Sequence, residues 1–90
     1  MNEQLPQLGV WYHDGNHAFH RYEDCGLEAH PPYRIDVYHL AGPSTKLLYR
    51  WEVRHCGNLI KMGHTKTGPR HVGKQVYQAA MDAALAWLRD

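Results

Sequence analysis

The chain predicts an α+β fold, a four- to five-stranded antiparallel meander sheet with one C-terminal amphipathic helix packed on one face. Three observations carry this. Over Gly73–Asp90, GKQVYQAAMDAALAWLRD, helical spacing puts Val76, Ala80, Ala83, Ala84 and Trp87 on one side, with Tyr77, Met81, Leu85 and Leu88 continuing it. Over Leu47–His55 the period is two, with Leu47, Tyr49, Trp51 and Val53 alternating against Leu48, Arg50, Glu52 and Arg54. Turn chemistry at Asp14-Gly15-Asn16, Gly42-Pro43-Ser44 and Cys56-Gly57-Asn58 separates short aromatic and β-branched runs.

Taken in order, residues 1–8 are polar with one proline and predict a loose tail, leaving 9–90 as a single domain. Val10–Tyr22 (VWYHDGNHAFHRY) predicts a β-hairpin, because Asp-Gly and Gly-Asn tolerate positive φ and a helix through them is costly. Glu23–Pro32 is a connector that ends in two prolines. Tyr33–Leu40 alternates and predicts the next strand. After Leu47–His55 and its turn, Leu59–His64 predicts a short last strand, and Thr65–Val72 a basic loop into the helix. Short turns favour pairing of consecutive strands. A lone helix of this length is marginal in water, so its apolar arc requires the sheet as a partner surface. Small Ala80 and Ala84 in mid-arc let the two backbones approach closely.

Ninety residues, 43% of them apolar, allow one domain with a modest core. No apolar run is long enough for a membrane span, and MNEQLPQLG lacks a basic region followed by an apolar block, so a cytoplasmic chain is expected. In that compartment Cys25 and Cys56 are free thiols. The net charge of +1 conceals an asymmetry: four Lys/Arg against seven Asp/Glu up to Glu52, then six against two from Val53 onward. No acid falls between Val53 and Met81. This pattern points to a basic and an acidic region and excludes a uniformly basic binder.

Histidine is the first candidate for chemistry. His13, His17 and His20 lie near Asp14, Glu23, Asp24 and Cys25, but in a hairpin His13 and His17 flank the turn and meet across strands while register alone places His20, and no Cys-x-x-Cys or His-Glu-x-x-His accompanies them. A metal on these histidines, as part of a small metal-dependent enzyme, is therefore the third reading, and the expectation is no metal and no cofactor. Nucleophilic catalysis is also disfavoured. Ser44 sits in a Gly-Pro turn, and on a strand His55 and Cys56 face opposite sides. The expectation is a protein that is not an enzyme.

The basic set Arg54, Lys61, Lys66, Arg70, His71 and Lys74 is a candidate anion-binding surface, since it runs up to the N-terminus of the expected helix. TKTGPRHVGK is not a phosphate-binding glycine loop. The segment GPRHVGKQVYQAAMDAALAWL resembles the closing loop and helix of double-stranded-RNA-binding domains, which also follow three strands. That family places several lysines at the helix start; here Lys74 is followed by Gln75 and Val76. The resemblance implies contact with RNA through this loop.

In layout the whole chain is similar to small phage and mobile-element proteins of bacteria, including some anti-CRISPR inhibitors. The shared features are size, a short antiparallel sheet, one Ala-rich helix and an aromatic-studded surface. That resemblance implies a protein complex of a bacterial host as partner, with or without nucleic acid in it, and no membrane. Of the ten aromatic residues, Tyr49, Trp51 and Trp87 belong by periodicity to the core. Trp11, Tyr12, Tyr22 and Tyr38, with Arg34 and Arg50, form a candidate aromatic and charged contact surface of the kind that anchors protein interfaces. The leading expectation is thus a non-catalytic binding module, in its most specific form an inhibitor of a host defence complex. Direct nucleic-acid binding through the basic set is the second reading.

Overall fold

A computed structural model describes residues 7–15, 18–27, 30–40, 48–66 and 75–89, apart from the side chains of Lys66, Gln75 and Val76. Five strands precede one helix: β1 (Tyr12–Gly15), β2 (Ala18–Glu23), β3 (Tyr33–His39), β4 (Leu48–His55), β5 (Asn58–Lys66) and α1 (Gln75–Arg89). The strands form one antiparallel sheet in the order β1-β2-β3-β4-β5, the expected meander. The expected hairpin is present, and Gly15 at φ 84° begins its turn in a conformation open to glycine. Asn16 and His17 lie outside the described residues.

Between β4 and β5 only Cys56 and Gly57 intervene, at φ 53° and 81°. Two successive positive φ values define the tight hairpin turn whose twist matches its flanking strands. Cys56 is thus an exposed turn residue in a conformation unusual for a side-chain-bearing residue. It and Cys25 are free thiols.

Two boundaries differ from expectation. β5 continues to Lys66 and is the longest strand, so Thr65 and Lys66 belong to the sheet and not to a loop. The reason is pairing: Tyr49 and Leu48 extend β4 opposite them, and register carries the ladder past the point where β5's own alternation fades. At the other end, Leu8 bridges Tyr22, and Gly9 donates its N–H to the Tyr22 carbonyl at 2.9 Å. The last residue of the expected tail, Leu8, and the first of the domain, Gly9, are therefore tied down against β2.

The core lies between α1 and the middle of the sheet. Ile35 and Val37 of β3, Tyr49, Trp51 and Val53 of β4, and Ala80, Met81 and Ala84 of α1 are all buried. Burying a Val or Ile side chain contributes about 1.5–3 kcal/mol, so this small set holds the two layers together. Ala80 and Ala84 are 1% and 0% exposed, as the small-residue arc requires for close helix approach. Val76 and Leu47, also expected inward, lie outside the described side chains. Trp51 faces Gly63 across the β4–β5 ladder, where the absent side chain leaves room for the indole.

Burial raises the Tyr49 phenol above its usual range, and neighbouring Tyr77 adds to the effect. Beyond the helix the same sheet side is closed by aromatics. Phe19 packs on Tyr77 with centroids 4.2 Å apart, His13 stacks on Phe19 at 4.8 Å, and the Arg21 guanidinium lies 5.5 Å from the Trp11 ring centroid. On the helix surface Gln78 bonds Asp82 one turn on, and Arg89 in the last turn suits the helix dipole. The described chain measures 44 × 31 × 19 Å. Its thinnest dimension has room for one helix layer and one sheet layer, so the second sheet face has no cover among the described residues.

Candidate functional site

Strand parity decides what that open face displays. Because side chains directly opposite in an antiparallel pair share a face, the registers assemble rows across the sheet. The central row is Tyr12, His20, Asp36, Glu52 and Met62. On one side of it runs Tyr22, Arg34, Arg54 and Leu59; on the other run Tyr38, Arg50 and His64. A row holding two acids is thus flanked by rows holding three arginines, an alternation that puts opposite charges next to each other.

Glu52 is the centre of the lattice. It is only 6% exposed, although it projects from the face that has no helix. Tyr38 donates its hydroxyl to Oε2 at 2.9 Å, Arg54 donates Nη1–H to Oε1, and Arg50 Nε lies 2.7 Å from Oε2. The Arg50 Nε–H is buried without a hydrogen-bond partner, so this last contact is a charge pair whose geometry is not that of a hydrogen bond. Arg50 instead directs Nη2 to Met62 Sδ at 3.1 Å. Burial alone pushes the Glu52 carboxyl up; the hydrogen bonds from Arg54 and Tyr38 and the two guanidinium charges outweigh it and hold the carboxyl below its ordinary range. The Tyr38 phenol moves up, through burial first and then through its bond to Glu52.

Arg34 repeats the arrangement with Asp36 and Tyr22. Its Nε lies 3.2 Å from both Asp36 oxygens, and its Nη1 donates to the Tyr22 hydroxyl at 3.0 Å. The guanidinium carbon also stands 5.7 Å from the Tyr22 ring centroid. Asp36 hydrogen bonding is the main reason that Arg34 is raised above its usual range. At the β1 margin, His20 stacks on Tyr12 at 5.0 Å, meets Tyr22 edge-on at 5.5 Å, and places Nδ1 2.7 Å from both oxygens of Asp14.

Five residues expected in the aromatic and charged surface, Tyr12, Tyr22, Arg34, Tyr38 and Arg50, are therefore brought together on one face. Trp11 is not. It packs with the core side beneath Arg21, and since Arg21 is opposite Ile35 this is the helix side of the sheet. The basic set divides as well. Arg54 joins the open-face lattice, whereas Lys61 is opposite buried Val53 and so lies on the helix side. Lys66 ends β5 in register with Leu48. Arg70, His71 and Lys74 lie outside the described residues.

The histidines are likewise separated. His13 pairs with Phe19 on the helix side and His20 with Tyr12 on the open side, so one ion cannot bridge them. His17 is outside the described residues, among which no group of three His, Cys, Asp or Glu side chains converges for a metal. His55 Nε2 is 3.1 Å from the Pro31 carbonyl, on the strand before the exposed turn that holds Cys56.

The contact surface expected from the sequence did not include Asp14, His20, Asp36 or Glu52, although alternation already set Glu52 on the side of Arg50 and Arg54. A signal existed for two of them. Arg34-x-Asp36 and Arg50-x-Glu52-x-Arg54 put opposite charges at the spacing that returns to one side of a strand. What joins these two motifs is the β3–β4 register, which neither strand reveals alone.

No described helix is long and apolar enough to cross a membrane. No protein-family model, curated protein or solved structure matches the chain.

Proposed function

We propose that this chain is a non-catalytic binding module whose open sheet face docks on a protein partner. In the most specific form, the partner is a bacterial host defence complex and the chain is an inhibitor of phage or mobile-element origin that acts by occupying one of its surfaces. The observation that carries the reading is the lattice of Tyr22, Arg34, Asp36, Tyr38, Arg50, Glu52 and Arg54, uncovered by the helix and internally bonded. Arg and Tyr dominate the energetic centres of protein interfaces, because they combine apolar area with directed hydrogen bonds. Here their side chains are already ordered by the lattice, which lowers the entropy cost of docking.

Charge favours a protein over a nucleic acid on this face. Its three arginines, 34, 50 and 54, are matched by Asp14, Asp36 and Glu52, and every one of the three guanidiniums stands within ion-pair distance of a carboxylate. A polyanion meets no net attraction there and must displace carboxylates already in place.

The test is affinity capture from bacterial lysate with the wild-type chain and two open-face variants, Tyr22→Ala and Arg34→Ala. The expected result is a defined set of proteins retained after nuclease treatment and lost with both variants, and interference by the matching defence system relieved only by the wild type. Capture that both variants keep, or that nuclease abolishes, refutes the reading. In the second case binding should also fall steeply with salt, as for a phosphate-binding surface.

A further inference from the structure

β5 forms one margin of the sheet: β4 lies on one side of it and, among the described residues, no strand lies on the other. From Lys61 to Lys66 it pairs residue for residue with Val53 back to Leu48, and its irregularity is confined to the turn end, between Val53 and Arg54. Such a margin turns every second pair of backbone N–H and C=O groups outward, a template for one more strand. The opposite margin is a poorer template, since β1 has four residues and a register shift between His13 and Gly15.

β5 also carries exposed apolar side chains, Leu59 and Ile60 at 44% and Met62 at 37%. Leu59 and Met62 are opposite Arg54 and Glu52 and so belong to the open face; exposed Lys61, opposite Val53, belongs to the other. Near the turn the edge therefore offers an apolar side, Leu59 and Met62, and a cationic one, Lys61; farther along, His64 opposite Arg50 returns to the open face. Its charge also selects the occupant. β5 contains Lys61, His64 and Lys66, and no acid occurs between Val53 and Met81. A second copy paired along this edge would set one basic, acid-free strand against another, whereas an acidic strand opposes charges of unlike sign.

We propose that the β5 edge accepts an extended segment of a partner protein in which apolar and acidic residues alternate, the apolar ones beside Leu59 and Met62 and the acidic ones beside Lys61. Backbone hydrogen bonds supply most of the attraction, and the alternation sets register and direction. Lysine on a free edge also deters pairing between copies, so Lys61 both repels its own kind and selects the acid. The proposal shares Leu59 and Met62 with the margin of the open face, but it stands without docking there, because the Arg34–Asp36 and Arg54–Glu52 pairs take no part in it.

The test is titration of the nitrogen-15-labelled chain with a synthetic peptide of alternating valine and glutamate, followed by amide chemical shifts. A valine-lysine peptide and a backbone N-methylated valine-glutamate peptide serve as controls. Saturable shifts along Leu59–Lys66, with Tyr12–Gly15 unmoved, are expected. N-methylation should weaken binding about tenfold through loss of the backbone bonds. Lys61→Glu, at an exposed position and with its fold checked by the unmoved Tyr12–Gly15 amides, should weaken the glutamate peptide about fivefold and strengthen the lysine one. No shifts along β5 at millimolar peptide, equal binding of the N-methylated peptide, or concentration-dependent self-pairing of β5 in place of peptide binding would each overturn the proposal.

Discussion

Gly63 is a position where the packing makes an unusual demand, and Gly63→Ala puts a magnitude on it. A β-carbon placed there would lie 2.5 Å from Cε2 and Cζ2 of Trp51 and 2.6 Å from its Nε1. Carbon contacts are most favourable at about 3.5–4.0 Å, so the indole must retreat by roughly 1 Å. It is 7% exposed and packed in the cluster with Ile35, Val37, Val53, Ala80, Met81 and Ala84, so retreat strains the core. Overpacking of this kind costs about 1–3 kcal/mol. Replacing a strand glycine by alanine returns about 0.5–1 kcal/mol of conformational entropy. The net expectation is a loss of about 1–2 kcal/mol, or a fall in Tm of roughly 5–15 °C for a domain of this size. Urea denaturation of the single variants, Trp51→Leu and the double variant isolates the cause. With the indole gone, Gly63→Ala should become neutral or stabilising, a coupling of about 1–3 kcal/mol. A raised Tm for Gly63→Ala in the wild type, or an undiminished loss in the Trp51→Leu background, refutes the clash.

Three further outcomes are expected. The Glu52 carboxyl is held below its ordinary value in the folded chain, so its contribution is complete above the unfolded carboxylate pKa and disappears as pH falls from there through the depressed folded one. Glu52→Gln should cost about 1–3 kcal/mol at neutral pH, and in a pH series its stability should converge on that of the wild type in acid; a constant gap would contradict the lattice. At the β4–β5 turn, Cys56 holds φ 53°, which asparagine tolerates far better, so Cys56→Asn should raise stability by about 0.5–1 kcal/mol, read as a higher Tm, while Cys56→Val should lower it. Ala84 is fully buried and Ala86 exposed on the same helix, so Ala84→Leu should destabilise by about 1–3 kcal/mol while Ala86→Leu leaves the urea midpoint nearly unchanged.

The features of this protein that depend on neighbours along the chain are written in its amino-acid order. The alternation through Tyr49, Trp51 and Val53, the alanines of the helix arc, and the Gly15 and Gly57 turns were legible because each reports a local period or an allowed φ. These suffice for a meander under one helix. Which residues meet across strands emerges with the folded sheet, since register is a relation between segments that neither contains. It set Glu52 between Arg50 and Arg54 beneath Tyr38, joined Arg34 to Tyr22, and sent Trp11 and Lys61 to the helix side while Arg54 went to the open one. It also buried a carboxylate on the uncovered face, which hydropathy places in water. Three hydrogen-bonding and charged neighbours together compensate the desolvation that any one strand, read alone, would leave unmet.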